Sequence, residues 1–328
     1  MVPSRVYTED RRKARRNQIL RIFLILIFFP PLLSLLFGWL AAPSFLHPMR
    51  RALSPDLIHQ ADAAFAHVGT RCEDFSVRAP DGIVLHGWKV RARSPSRNWV
   101  LMFHGVADNR IGVLDHSELL LGAGYNVVMM DARAHGTSEG AIATYGWLER
   151  LDTRAIIDAL ESSEHPQHLF ALGESMGAGI ALQCAAADDR IEAVVAEASF
   201  ASLREATYDY AGMQKYPLIG KTIFAPGAWM MLHRGQSLAG FPASEVSPEK
   251  AVAGRSFPVL LICETGDTTL PCRHTRKIFA AAIGPKQIWV LSNGFHTAAL
   301  GFEPAEFRRR VLTFFANASQ HAKQAGSS

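Results

Sequence analysis

Cysteine is scarce in this chain. Four residues, at positions 72, 184, 263 and 272, form no CxxC pair and no Cys/His cluster at zinc-ligand spacing. No metal is therefore expected, and no other cofactor motif is present. Cys263 and Cys272 bracket a short loop and can pair where the surroundings are oxidising, whereas Cys72 and Cys184 read as small buried hydrophobes. Basic stripes are also lacking. The formal charge is +4, but Met1 to Arg21 alone carries seven basic and two acidic residues, a net of +5, which leaves −1 for everything that follows. Basicity is thus confined to a tail, and a nucleic-acid partner has no support. There is no internal repeat.

Charge is missing altogether from Ile22 to Ala42. As a helix this run would rise roughly 30 Å, about the thickness of a bilayer core. Pro30-Pro31 in its middle would break a helix in water but is better tolerated as a kink in a membrane span. An uncleaved anchor is the preferred reading. The alternatives are a cleaved signal peptide and, more remotely, a buried soluble helix. Against the signal peptide, the apolar run is long, Leu40 is a mediocre small-residue substitute, and a cut after Ala42 would fall against Pro43. Arg and Lys crowd the N-terminal flank, so the positive-inside rule leaves the tail cytoplasmic and the body exported to a periplasmic, extracellular or lumenal space. The expected division is a basic tail over 1–18, an anchor over 19–42, a linker over 43–70, a large α/β domain over 71–318 with an insertion over 202–255, and a disordered tail over 319–328.

Within the body, Phe75 and Val77 lead through the turn signal Ala79-Pro80-Asp81-Gly82 into Ile83–Val90, a β-hairpin pattern. Short apolar runs then alternate with helical periodicity. Strands are expected at 99–103, 125–130, 169–172, 191–195, 258–263 and 287–291, with helices at 111–121, 148–160, 176–186, 273–282 and 304–316. Such alternation predicts a mainly parallel sheet covered on both faces. The pattern lapses between about 202 and 255, where aromatic and methionine residues interrupted by Pro217, Pro226 and Pro242 read as a cap of short helices. Such a cap must bury its own core, and it can also form an apolar acyl pocket.

The stretch LFALGESMGAGIAL, Leu169 to Leu182, places Ser175 where a strand gives way to a helix. A nucleophilic serine must project its hydroxyl from a sharp strand-to-helix turn, which crowds the backbone and requires small residues two before and two after it. Gly173 and Gly177 meet that requirement. The amide of Met176, at the helix start, is aimed to stabilise a developing oxyanion. Serine needs a base, and His296 in LSNGFHTAAL follows the last strand; Asp267 in LLICETGDTTLP follows the preceding one and can orient it. Val106, after the strand ending LMFHG, is the expected second backbone donor. Glu197 and Glu264 are alternative acids. His104 is expected to shape its loop, and Glu174 to serve the scaffold.

On the stretches LMFHG, DARAHGTSEG, LGESMGAG, TGDTTLP and NGFHT, the region from about Cys72 to Ala316 resembles the serine-nucleophile branch of the α/β-hydrolase family. It looks most like monoacylglycerol lipases, acyl-protein thioesterases and proline-type aminopeptidases. The resemblance implies an α/β-hydrolase fold: a mainly parallel sheet with helices on both faces and a small cap insertion, here preceded by one transmembrane helix. It implies Ser175, His296 and Asp267 as nucleophile, base and acid, and Val106 and Met176 as oxyanion donors. It also implies a structural role for Asp131 to Gly140, including Arg133 and His135. Phe295 departs from the family pattern, standing where glycine is frequent. The expected activity is hydrolysis of small-molecule or lipid carboxylic esters or thioesters through an acyl-enzyme. The alternatives are a peptidase or amidase of the same fold, or a membrane-tethered binding protein without catalysis. Oligomeric state is not legible.

Overall fold

The computed structural model describes residues 4–212 and 216–325. The ends of the expected N- and C-terminal tails (1–3 and 326–328) and residues 213–215 of the expected insertion lie outside the described residues. In chain order the elements are α1 (Ser4–Leu46), α2 (Pro55–His67), β1 (Cys72–Arg78), β2 (Val84–Val90), β3 (Asn98–Phe103), α3 (Leu114–Gly122), β4 (Asn126–Met130), α4 (Glu149–Glu164), β5 (His168–Glu174), α5 (Met176–Ala187) and β6 (Ala193–Glu197). They continue with α6 (Leu203–Tyr210), α7 (Pro217–Ile219), a π-helical turn (Gly220–Phe224), α8 (Ala225–Ala239), α9 (Pro248–Gly254), β7 (Val259–Glu264), α10 (Cys272–Ala281), β8 (Lys286–Leu291), α11 (Ala299–Phe302) and α12 (Pro304–Ala325).

Two compact units form. The body comprises Leu46–Ala206 and the chain from Ala239 onward. Its eight strands make one sheet in the order β1-β2-β4-β3-β5-β6-β7-β8. The β1–β2 and β2–β4 pairs are antiparallel, and every pair from β4–β3 to β7–β8 is parallel. Strand alternation sends successive side chains to opposite faces. On β5, Leu169 and Ala171 face a core shared with α4, α5, α9 and α10. Phe170 and Leu172 face the other core, shared with α2, α3 and α12. There Phe170 stacks on Phe315 with ring centroids 4.7 Å apart. Burying one such side chain contributes ~1.5–3 kcal/mol, so a sheet apolar on both faces requires helices on both.

The stretch expected as a linker contains α2, which Ser54 caps through the amide of Leu57. Phe65 and Ala61 on α2 join the second core. The chain just after α1 is pinned to the body. Leu46 O accepts from Ala143 N at 2.9 Å, the His47 ring meets Ala141 O at 2.6 Å, and Arg50 donates to Ser138 O at 2.7 Å. Arg51 pairs with Asp108 at 2.7 Å. The ends of the expected insertion also belong to the body, because Val252 on α9 packs into the first core.

The second unit is α1 together with Thr207–Leu238. Within Arg11–Leu46, α1 holds an 18-residue stretch of mean hydropathy 2.5, long and apolar enough to cross a membrane, and the helix continues through Pro30, Pro31 and Pro43. Small residues bring α1 and α8 together. A side chain on Gly38 would overlap the backbone of Gly227, and one on Gly227 would overlap Ser34. The Ser34 hydroxyl accepts from Gly227 N at 3.0 Å.

Candidate active site

Ser175 stands between β5 and α5 with φ 52° and ψ −116°, a conformation rarely adopted by a residue with a side chain. The turn is held by Ser175 N donating to Glu197 O on β6 at 2.9 Å. Its crowding is of the kind Gly173 and Gly177 anticipate. A Cβ on Gly173 would overlap the Gly177 backbone, and one on Gly177 would overlap the carbonyls of Phe103 and His104. The loop after β3 therefore lies against the elbow, and a Cβ on Gly105 would come 3.8 Å from that of Ser175.

His296 and Asp267 reach this serine from the loops after β8 and β7. His296 Nε2 is 2.8 Å from Ser175 Oγ, and Nδ1 is 2.6 Å from Asp267 Oδ2. The other oxygen of Asp267 accepts from the amides of Thr269 and Leu270 at 2.7 and 2.9 Å, which fixes the carboxylate. Its side chain is fully buried, whereas that of His296 is about one-quarter exposed. Two further glycines bring these loops together. A Cβ on Gly266 would overlap Gly294 O, and one on Gly294 would crowd Glu264 and Leu291. Asn293 N donates to Thr265 Oγ1 across the same seam at 3.0 Å. Cys263 and Cys272 are disulfide-bonded, closing the loop that carries Asp267.

The other expected donor, Val106, lies on the β3 loop near its surface, and Met176 opens α5. His104 shapes that loop: Nε2 accepts from Ala132 N at 3.0 Å, and its other nitrogen donates to Gly105 O at 2.8 Å. Burial holds His104 below its ordinary value. Burial, with repulsion from His104 next, lowers His135 to about 4. Arg133 forms a buried ion pair with Asp152 at 2.6 Å. Phe295 is exposed and packs edge-on against Phe302.

Of the alternative acids, Glu197 is bonded to a backbone amide, while Asp267 holds His296 Nδ1. Glu197 Oε1 accepts from Ala299 N at 2.9 Å. The Glu197 and Glu264 carboxyls belong to a buried cluster that sequence reasoning did not assemble. His116 on α3 lies with Nδ1 3.0 Å from Glu174 and Nε2 3.8 Å from Glu197. Burial alone would lower His116, but these two carboxylates outweigh it and hold the imidazole above its ordinary value. Glu264 faces Glu197; burial, then a hydrogen bond from its protonated form to Glu197 and repulsion from Glu197 and Asp267, push it up to about 10. Burial also raises Glu174, to about 7. Donor atoms of His116, Glu174 and Glu197 lie within 4.8 Å of one another, the spacing a metal would need. Each imidazole nitrogen, however, turns to a different carboxylate. That is how an imidazolium sits between two anions, whereas a metal requires one nitrogen lone pair converging with both carboxylates. No motif marks His116, a lone histidine on a largely apolar helix.

Residues 94–224 match the family described as serine aminopeptidase, S33. A Bacillus subtilis (strain 168) protein, YqkD, is 29% identical over 246 residues, covering 74% of this chain and 79% of that protein. The lysophosphatidylserine lipase ABHD12 of Danio rerio is 26% identical over 212 residues, covering 61% of this chain and 51% of that one. Among solved structures, the Pyrococcus furiosus esterase Pf2001 is similar with a TM-score of 0.65 and 23% identity, covering 83% of this chain and 98% of the other. The chain has the α/β-hydrolase fold, with a serine at its strand-to-helix elbow.

Proposed function

We propose that this protein is a membrane-tethered serine hydrolase of carboxylic esters, acting on acyl esters or thioesters. The observation that carries the reading is the chain of two short contacts from Ser175 Oγ through the His296 ring to Asp267. Ser175 Oγ attacks the substrate carbonyl carbon as His296 Nε2 takes its proton. Asp267 holds the ring with Nδ1 protonated and stabilises the imidazolium that results. The amides of Val106 and Met176 donate to the tetrahedral oxyanion. Collapse expels the alcohol or thiol, which receives the proton from His296. Water activated by the same ring then releases the acid and restores Ser175. The activities of two similar proteins, an esterase and a lysophosphatidylserine lipase, favour esters. Amide hydrolysis by the same residues is the second reading, favoured by the match to a serine aminopeptidase family.

The reading places the protein in the membrane as a single pass, with its basic tail cytoplasmic and its body exported. The charge asymmetry around α1 supports this orientation, as does the Cys263–Cys272 disulfide, since such bonds persist in oxidising compartments. A fluorophosphonate probe tests the chemistry. Labelling of the wild type and its loss in folded Ser175→Ala are expected; equal labelling of both would move the nucleophile elsewhere. Comparing p-nitrophenyl esters with aminoacyl p-nitroanilides decides between esters and amides.

A further inference from the structure

The α1 unit forms an open cavity of about 660 Å3, within the ~300–1,000 Å3 typical of small-molecule sites. One wall is α1, through Pro30, Leu33 and Phe37; the other is the segment after α6, through Tyr216, Phe224 and Met231. No Asp, Glu, Lys, Arg or His is among the described residues lining it. A charged headgroup, a peptide terminus or a phosphate would find no counter-charge there.

The way the walls meet gives the cavity a depth. Ser34 and Gly38, four residues apart on α1, let the α8 backbone approach closely at Gly227, as small residues do between membrane helices. Further along both helices, the Arg234 guanidinium lies 3.5 Å over the Trp39 ring and donates to Trp39 O at 2.5 Å. A side chain on Gly235 would then touch the Phe45 ring at 3.3 Å. The two helices therefore run in the same direction. Their apolar crossing sits in the second half of the charge-free run, and an Arg–Trp pair sits near its end, where such side chains anchor at the membrane surface. The segment leading into α8 leaves Leu218 and Ile219 exposed beside Lys221, and α8 itself exposes Trp229.

We infer that this cavity is a binding site for one fatty-acyl chain of a membrane lipid, with the membrane-spanning helix as a wall of the site as well as an anchor. The inference rests on reading α1 as a membrane span and deepens the acyl-ester reading. It does not require catalysis.

The test uses full-length Ser175→Ala protein in detergent and palmitic acid carrying a mid-chain diazirine. Irradiation should place adducts on the lining residues Pro30, Leu33, Tyr210, Phe224 and Met231, and excess unlabelled palmitate should displace them. Ala228→Phe, which fills the cavity from α8, and Leu33→Trp, which fills it from the more exposed α1 wall, should each cut labelling about tenfold. In a Ser175-intact background both variants should still hydrolyse p-nitrophenyl acetate, which reports a folded body. If Ala228→Phe misfolds, Leu33→Trp carries the comparison. Adducts spread over the outward residues Phe28, Leu36 and Leu40, with a yield unchanged in the variants, would overturn the site. Extraction of wild type from membranes by alkaline carbonate would overturn the span and, with it, the lipid assignment. Loss of esterase activity alone would touch only the catalytic reading.

Discussion

In the body, β5 sends Leu169 and Ala171 to one face and Phe170 and Leu172 to the other, and helices cover all four. In α1, Ile25, Leu26, Phe28 and Phe29 stand exposed along the charge-free run of the helix. The body follows the rules of a protein in water, where the two faces of a sheet must find helices. The α1 unit, on the membrane-span reading proposed above, follows the rules of a chain in lipid. There apolar surface faces outward, and small residues such as Ser34, Gly38 and Gly227 decide where helices meet. The same residue type therefore means different things in the two regions. A leucine on β5 holds the fold, and a leucine on the outer face of α1 holds the solvent.

Ser175→Ala would break the comparison most sharply. Turnover of an acyl ester should fall by about 10⁶, while membrane retention of α1 stays unchanged. Asp267→Asn should lower turnover by about 10⁴, and Ser175→Ala combined with Asp267→Asn should cost little more than Ser175→Ala alone. Additive losses, or a larger effect from Glu197→Gln than from Asp267→Asn, would reassign the acid. Next in size is the disulfide. Replacing Cys263 and Cys272 by serine should cost the body about 2–4 kcal/mol, because closing the loop restricts the unfolded chain. Urea unfolding would measure it, and an unchanged midpoint would remove the bond from the stability account. Membrane insertion of α1 should be untouched.

Leu26→Arg should act in the opposite sense. It should raise the cost of membrane insertion by about 2.5–3.5 kcal/mol and leave short-ester turnover in detergent intact. Carbonate extraction reads the first effect; equal retention of wild type and variant would mean that α1 does not span. The smallest effect is a pH slope. Glu264 binds a proton in the native body up to about pH 10, which the unfolded chain loses near its ordinary value of 4.5. Stability should therefore decline as pH rises between those values. Glu197 and Asp267 sustain the shift, and His116 and Glu174 also titrate in the cluster. Glu264→Gln should flatten the decline between pH 8 and 10. Identical slopes for wild type and variant would show that Glu264 is not protonated there.

Much of the body was legible because strand and helix periods differ and because close backbone approaches leave glycines behind. Gly173 and Gly177 announce the elbow, and the order of Ser175, Asp267 and His296 along the chain follows the order of the strands that carry them. The Gly266–Gly294 seam was harder to see. Each glycine alone is an ordinary loop residue, and only the sheet brings β7 and β8 side by side. His116 was invisible for the same reason: its partners Glu174 and Glu197 come from other strands, and nothing near position 116 signals them. In the α1 unit, periodicity detects an apolar helix but says nothing of which segment pairs with it. The match between Ser34, Gly38 and Gly227 joins residues nearly two hundred positions apart.

The pinned stretch after α1 sets a boundary for protein engineering. A soluble version that begins at Leu46 keeps the bonds from Leu46, His47 and Arg50 to residues 138–143, and the ion pair from Arg51 to Asp108. One that begins at Leu53 discards all of them, including the clasp on the loop that carries Val106. The cut that best separates the apolar helix from the body therefore lies at the last residue of α1. The linker is part of the folded product, and trimming it back to α2 removes a piece of the body.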